Sequence, residues 1–225
     1  MTARPWVFDC DGVLLNSNAL KSNAMYQAAS RYGQAEAEAL LAYHKPRGGI
    51  GREIKFRYFF EHILNRQTDY QADYETLCAD YSRNVRDALV QCDVAAGLEK
   101  LISRLDSAGV EAFVISGAEE GELRDILSMK KIDHLFKGIF GSPKSKTDNV
   151  HRLMRHSGIP DTFIGDSHHD CEVALHFGMQ FYFLTDWTEM PTWQQDLPSH
   201  PDIRVLKNIR ELDTLHAANV AGRTR

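Results

Sequence analysis

Two aspartates near the amino terminus have the spacing that most clearly predicts chemistry in this chain. Asp9 and Asp11 follow a short apolar run, Trp6-Val7-Phe8, and Gly12 marks a turn. A parallel strand ending there would place both carboxylates where open α/β sheets bind ligands. Two carboxylates this close repel each other unless a cation lies between them, and a hard divalent ion such as Mg²⁺ takes oxygen ligands. The pattern predicts a Mg²⁺ site, and a solvated acidic turn is the alternative that this motif alone leaves open.

Three further predicted strand ends also carry polar groups. A carboxylate can attack phosphorus while Mg²⁺ neutralises the phosphate oxygens. A hydroxyl and an ammonium can bind the remaining oxygens, and a second carboxylate can serve as general acid and base. At neighbouring strand ends these groups together predict phosphoryl transfer. The residues at these three strand ends are Ser116 with Gly117, Lys144 or Lys146 at the start of a helix, and Asp166 with Asp170 four residues on.

The elements that must position these groups are predicted from hydrophobic periodicity. Helical patterns fill the chain from Ser17 to Cys92 without a strand signal, including helices over Gln34–His44 and Arg52–Asn65. From Ala96 onward helices and short apolar strands alternate, which indicates βαβ crossovers and a parallel sheet. The first strand then belongs to that sheet, and the helical block is an insertion. Strands are predicted over Val110–Ser116, Gly138–Gly141, Thr162–Asp166 and Gln180–Thr185, and residues 186–202 are predicted to form an ordered surface loop.

The amino-acid composition limits the classes of molecule that the protein is expected to bind. The chain has 225 residues, is 43% hydrophobic and carries a net charge of −5, which argues against nucleic acid as a bulk partner. No apolar run approaches the length of a bilayer span or follows the amino terminus as a signal peptide would, so no membrane partner is expected. The four cysteines lack both C-x-x-C pairing and disulfide-framework spacing. We therefore predict reduced thiols and a cytoplasmic protein.

The motifs taken together resemble those of a known superfamily. Asp9-Cys10-Asp11-Gly12-Val13-Leu14, Ile115-Ser116, the lysine, and Gly165-Asp166 with Asp170 resemble the four motifs of the haloacid dehalogenase superfamily. The insertion resembles its helical-cap (C1) branch, which includes phosphoglycolate phosphatase and β-phosphoglucomutase. The resemblance implies an α/β fold: a Rossmann-like parallel sheet core with helices on both faces and an inserted all-helical cap domain. We expect the core at residues 1–16 and 92–225 and the cap at residues 17–91.

The resemblance also implies a role for each motif residue. Asp9 would be the nucleophile, and Asp11 would be the general acid/base. Ser116 would hold the transferring phosphoryl group with Gly117 beside it. Asp11 also disfavours dehalogenase and phosphonatase activity, because those relatives lack an acid there. The implied Mg²⁺ ligands are Asp9, Asp11 through its backbone carbonyl, Asp166, and Asp170, which would ligate the ion or orient the site.

The phosphate-binding lysine stays open between two positions. The spacing to Gly158 favours Lys144, whereas Ser145 as a helix N-cap favours Lys146. Lys21 stands where many relatives have histidine.

The loop Gly49-Ile50-Gly51-Arg52 resembles the Gly-x-Ser-Arg loop of the sugar-phosphate mutases, with glycine in place of serine. Arg47, Arg52 or Lys55 would then bind a distal anionic or hydroxyl-rich part of the substrate. The alternative is that these are surface charges beside a hinge.

The expected function is that of a Mg²⁺-dependent phosphatase, a phosphoric monoester hydrolase that works through an aspartyl-phosphate. Its partner would be a small phosphorylated metabolite of the sugar or polyol phosphate class, and the protein would be a monomer or homodimer. A phosphomutase of the β-phosphoglucomutase type is the alternative enzyme. Other classes are a phospho-aspartate signalling module and a catalytically silent binding protein. Receiver domains fit less well, because they are shorter and lack a helical insertion.

Overall fold

A computed structural model describes residues 3–223 of the chain, with side chains through residue 218. Its strands form one parallel sheet with the order β3-β2-β1-β4-β5-β6. The central strand is the amino-terminal run, and Val7 and Phe8 are fully buried because helices cover both faces of the sheet. The strands are β1 (Trp6–Phe8), β2 (Ala112–Glu119), β3 (Gly138–Ser142), β4 (Thr162–Gly165), β5 (Gln180–Leu184) and β6 (Ile203–Leu206).

The strand register aligns the carboxyl ends of β1, β2 and β4 at the same edge of the sheet. Phe8 pairs with Val114 of β2 on one side and with Ile164 of β4 on the other. The residues that follow these three positions therefore emerge together at the carboxyl edge of the sheet. This is the crevice that the parallel arrangement predicts.

Helices cover both faces of the sheet, which confirms the predicted fold class. Alternate strand residues face opposite layers: Phe8 packs in a cluster with Leu101 and Leu123, whereas Val7 packs with Val150 and Cys171. The helices are α1 (Asn18–Ala29), α2 (Gln34–His44), α3 (Arg52–Tyr58), α4 (Gln71–Gln91), α5 (Leu98–Ser107), α6 (Glu120–Met129), α7 (Lys146–Ser157), α8 (His168–His176), α9 (Trp193–Asp196) and α10 (Ile209–Arg223).

Residues 17–91, all of which the structure describes, contain helices and turns but no strand. The aromatic residues at the end of α3 form the interior of this helical segment. Phe59 and Phe60 are fully buried and lie edge-on to the Tyr32 ring, with centroids 5.5 Å away in each case. The helix continues as a π-helical turn over Phe59–Ile63. The division of the chain into a core and a cap at residues 17 and 91 remains a prediction.

The two chain passes that connect the helical segment to the sheet run side by side. Leu15 and Val94 form an antiparallel bridge. Asn16 N donates to Asp93 O at 3.0 Å, and Ala95 N donates to Leu14 O at 2.8 Å. These two passes, residues 14–16 and 93–95, are called the connecting ribbon below.

The structure extends the sequence analysis at three places. Strand β2 continues beyond Ser116, because after a bulge Glu119 pairs with Ser142 of β3. Strand β6 and helix α10 were not predicted, since β6 is a half-exposed edge strand whose apolar signal is interrupted by Arg204. The predicted surface loop contains the single turn α9. None of the helices in the described range 3–223 is long and apolar enough to cross a membrane.

Candidate active site

Three buried aspartates meet at the carboxyl edge of the sheet. Asp9 follows β1 and its backbone N–H donates to Ile164 O at 2.9 Å, while Asp166 follows β4. Asp170 lies in the first turn of α8, where a capping box holds it: its Oδ2 accepts from the N–H and hydroxyl of Ser167. One carboxylate oxygen from each aspartate lies within 4.8 Å of the others. The fold thus assembles the acidic group that strand-end positions predicted.

Lys146 lies among these carboxylates. It is the first residue of α7, which Ser145 caps by accepting from Asp148 N. Its Nζ lies 2.5 Å from Asp170 Oδ1, to which it donates a hydrogen bond, and 2.9 Å from Asp9 Oδ1. The contact with Asp9 is an ion pair whose angles do not meet those of a hydrogen bond. Burial would lower the pKa of Lys146, but the two carboxylates outweigh it and raise the pKa above its ordinary value. Lys146 is therefore a charged ammonium within the acidic group.

Lys144 lies elsewhere. Its side chain is exposed and borders a shallow surface depression with His151 and Arg155. The structure therefore brings Lys146, and not Lys144, to the carboxylates.

The charge of the acidic group favours a bound cation. Burial, followed by the charges of Asp170 and Asp11, raises the pKa of Asp9 to about 7 despite the opposing effect of Lys146. Burial and the neighbouring carboxylates also raise the pKa of Asp166 well above its ordinary value. One ammonium thus faces three buried carboxylates, and the excess negative charge disfavours ionisation. An all-oxygen donor set with uncompensated negative charge fits a hard divalent cation such as Mg²⁺.

Asp11 has a different environment from the other aspartates. Ser17 Oγ donates to its Oδ1 at 2.6 Å, and Lys21 Nζ donates to its Oδ2 at 2.6 Å. Burial raises the pKa of Asp11, but the charge and hydrogen bond of Lys21 and the bond from Ser17 outweigh it and lower the pKa overall. In this arrangement Asp11 is ionised, which is the form that a general base needs.

Sequence reasoning did not place the partners of these aspartates in the site. Ser17 and Lys21 are four residues apart at the start of α1, so they share a helix face beside the first motif. That spacing was an available signal. Asn18 Nδ2 donates to Asp166 Oδ2 at 2.6 Å, a contact across 148 residues that local spacing does not reveal.

Ser116 and Gly117 lie in β2, beside β1. Ser116 is 1% exposed, and it lines the same cavity as Asp9 and Asp166. A Cβ on Gly117 would lie 2.4 Å from the carbonyl oxygen of Gly49, a residue of the loop before α3. Only glycine lets the helical segment approach the sheet this closely.

The three predicted cap residues occupy different environments. Arg47 is exposed, lies over the Tyr43 ring at 4.0 Å and is not part of the cavity lining. Arg52 lines the cavity but is paired with Glu122 of α6 through two hydrogen bonds of 2.8 and 3.0 Å. Lys55 also lines the cavity and is 3% exposed. The cavity has a volume of about 440 Å³ and lies between the helical segment and the sheet.

Comparisons with known proteins agree with this architecture. A model of the family described as haloacid dehalogenase-like hydrolase matches residues 6–184. No curated protein matches the chain.

Several solved structures are similar along nearly the full length of the chain. A predicted phosphoglycolate phosphatase from Haemophilus somnus has a TM-score of 0.72 and 18% identity, covering 97% of this chain and 99% of that one. A predicted phosphatase from Clostridium acetobutylicum has a TM-score of 0.69 and 19% identity, covering 96% and 99%. CbbY from Rhodobacter sphaeroides, solved in complex with phosphate, has a TM-score of 0.67 and 16% identity, covering 93% and 96%. At these identities the likenesses establish the fold.

Proposed function

We propose that this chain, which belongs to the haloacid dehalogenase-like hydrolase family, is a Mg²⁺-dependent phosphatase of small phosphomonoesters. The observation that carries the proposal is the convergence of Asp9, Asp166 and Asp170, with Lys146 in contact with Asp9 and Asp170, beside a cavity that Asp9 and Asp166 line. Residues 17–91 would form a cap over that cavity. Sequestering the reaction in this way keeps bulk water from the reacting groups.

The proposed reaction has two steps. The Asp9 carboxylate attacks phosphorus, the ester P–O bond breaks, and Asp11 in its acid form protonates the leaving oxygen. Water then attacks the aspartyl-phosphate, Asp11 takes the proton of that water, and inorganic phosphate leaves with Asp9 restored. Since Lys21 keeps the pKa of Asp11 low, the arrangement described above suits the second step.

The other site residues would bind rather than react. Lys146 and Ser116 would hold oxygens of the phosphoryl group as it moves. Mg²⁺, when bound, would neutralise those oxygens so that one anion can approach another. Asp9, Asp166 and the backbone carbonyl of Asp11 would hold the ion. Both oxygens of Asp170 already accept hydrogen bonds, which favours an orienting role for this residue.

The substrate would be a small phosphorylated metabolite, such as a sugar or polyol phosphate. A cavity of about 440 Å³ suits a ligand of that size. The structural relative from Haemophilus somnus is described as a predicted phosphoglycolate phosphatase, which supports a small phosphoester. All four cysteines are free thiols, which supports the reducing cytoplasm as the compartment.

Replacing the nucleophile tests the proposal. Wild-type protein and Asp9→Asn are incubated with a panel of phosphomonoesters, with Mg²⁺ and with EDTA, and free phosphate is measured. We expect Mg²⁺-dependent release that falls at least about 1,000-fold in Asp9→Asn, since the amide cannot form the intermediate. Asp106→Asn, an exposed change, is the matched control. Full Mg²⁺-dependent activity in Asp9→Asn would contradict the assignment, and isomerised ester without free phosphate would indicate a mutase.

A further inference from the structure

The cationic side chains that line the cavity differ in how their charge is balanced. Of the three that are largely buried, Lys21 and Arg52 are paired with carboxylates, whereas Lys55 is not. Lys55 is 3% exposed, yet it forms no ion pair with any carboxylate in the described part of the chain. Lys21 is paired with Asp11 and Arg52 with Glu122; Lys146, which is paired with Asp9 and Asp170, does not line the cavity.

A chain of hydrogen bonds fixes how Lys55 is held. Its Nζ lies 2.8 Å from His44 Nδ1, and His44 Nε2 lies 3.0 Å from Ser22 Oγ. Ser22 donates its one hydroxyl proton to Glu189, so its oxygen must accept from His44 Nε2–H. Nδ1 then carries the lone pair and accepts from Lys55. Burial, followed by the charge of Lys55, lowers the pKa of His44 to about 3, so the imidazole is neutral.

The remaining N–H groups of Lys55 are available to a ligand. His44 takes one of the three donors of the ammonium, and within residues 3–218 no other side chain or carbonyl hydrogen-bonds to Nζ. A buried ammonium with unused donors and a neutral partner is unfavourable unless an anion completes its environment. Lys55 lines the cavity that also contains Asp9 and Ser116, so a molecule bound there can supply that anion.

We propose that Lys55, oriented by His44, binds a second anionic group of the substrate, either a carboxylate or a further phosphate. The inference rests on the proposed function, because it takes the transferred phosphoryl group to lie at Asp9 with Lys146. The substrate class is then a short phosphomonoester with an anion at its other end. Neither Arg47, which lies outside the cavity, nor Arg52, which is neutralised by Glu122, offers a free charge for that anion.

The charges around Lys55 give the binding a pH signature. Burial, followed by repulsion from Lys21 and Lys146, lowers the pKa of Lys55 to about 7, although Asp11 and Glu189 oppose this. The ammonium of Lys55 is therefore about half formed near pH 7, predominates at lower pH and is lost as the pH rises through 7. A bound anion raises this pKa, so binding of an anionic substrate near pH 7.5 must take up protons. A neutral group at the same place does not.

Matched pairs of esters test the inference. Glycerol 3-phosphate and 3-phosphoglycerate differ in a hydroxymethyl group against a carboxylate. Fructose 1-phosphate and fructose 1,6-bisphosphate differ in a second phosphate. The ratio of kcat/KM within each pair is measured for wild type, Lys55→Met and Lys55→Arg. Lys144→Met is the control, because Lys144 is exposed and does not line the cavity.

We expect wild type to prefer the anionic member of at least one pair, and the pair shows which anion is bound. Lys55→Met should reduce that preference about tenfold or more, because a charge-assisted hydrogen bond is lost. Lys55→Arg should retain part of it, and Lys144→Met should retain all of it. Equal kcat/KM within both pairs, or an equal loss for both members in Lys55→Met, overturns the inference while leaving the phosphatase assignment intact.

Binding to Asp9→Asn tests the same inference without turnover. Calorimetry in two buffers of different ionisation enthalpy, at pH 7.5, measures the protons taken up with each ester. We expect binding of the anionic member of the preferred pair to take up more protons than binding of its neutral partner, and we expect this difference to be lost in Asp9→Asn/Lys55→Met. Absence of hydrolysis by wild type counts against the proposed function alone, whereas equal affinities and equal proton uptake within each pair count against Lys55 as an anion site.

Discussion

Replacing Lys146 by methionine removes the only ammonium that directly contacts the buried carboxylates of Asp9 and Asp170 in the described structure. The side chain is 1% exposed and makes contacts of 2.9 and 2.5 Å. Removing one partner of a buried ion pair costs about 3–5 kcal/mol, because the other charge stays buried. Methionine keeps most of the apolar stem, so the loss is mainly electrostatic. We therefore expect the free energy of unfolding to fall by about 3 kcal/mol.

Urea unfolding followed by circular dichroism at pH 7.5 in EDTA measures this loss. Lys144→Met is the matched control, since Lys144 is two residues away and exposed, and it should stay within about 0.5 kcal/mol of wild type. Added Mg²⁺ should stabilise Lys146→Met more than wild type, because a cation that binds the folded state replaces part of the missing charge. The value of kcat/KM should fall at least about 100-fold in Lys146→Met and change little in Lys144→Met.

Two results would refute this reasoning. A loss below about 1 kcal/mol in Lys146→Met would mean that Lys146 does not hold the carboxylates together. Equal effects of the two substitutions on kcat/KM would mean that the choice between the two lysines, and with it the geometry of the site, is wrong.

Two further substitutions test the contacts between the helical segment and the sheet. Burial raises the pKa of Glu122, but hydrogen bonds from Arg52 and Ser82 outweigh it and lower the pKa overall, so the stability from its charge is full at neutral pH and is lost as the pH falls through that lowered pKa. Because Glu122 is 39% exposed, urea unfolding should show that Glu122→Gln costs about 1 kcal/mol at pH 7 and little at pH 3, and a loss that persists at pH 3 would contradict an ionic origin. Gly117→Ala places a Cβ 2.4 Å from Gly49 O, so kcat/KM for phosphate release should fall at least about tenfold, whereas the exposed Gly121→Ala should have little effect. Unchanged kcat/KM in Gly117→Ala would show that the close approach is not needed for activity.

The parts of the fold and site that could be predicted from the sequence depend on local pattern. In a parallel sheet an apolar run ends at the edge where ligands bind, so polar residues that follow such runs are predicted to lie together. Asp9, Ser116 and Asp166 have that pattern, and the structure places all three on one cavity. The predicted helix over Gln34–His44 has the same bounds in the structure.

The parts that could not be predicted depend on tertiary packing. Lys144 and Lys146 share one local pattern, and only the start of α7 after Ser145 separates an exposed side chain from a buried one. Strand β6 is half-exposed, so it lacks the apolar run of a central strand.

The anion site proposed at Lys55 depends on packing in the same way. Ser22, His44 and Lys55 come from three helices of the helical segment, α1, α2 and α3, and Glu189, which accepts from Ser22, joins them only when that segment packs on the sheet. No spacing in the sequence indicates that group.

The connecting ribbon limits how the helical segment can move relative to the sheet and how much its size can vary. Two chain passes that hydrogen-bond to each other bend readily out of their common plane but resist shear within it, so rotation about one axis is favoured over twisting or sliding. The helical block would then rotate about a single hinge axis, which two independent linkers would not enforce. The first and last residues of the helical block are adjacent, so the block replaces what would otherwise be a tight turn between the two passes of the connecting ribbon. A helical block of another size could replace it with little change in loop-closure entropy.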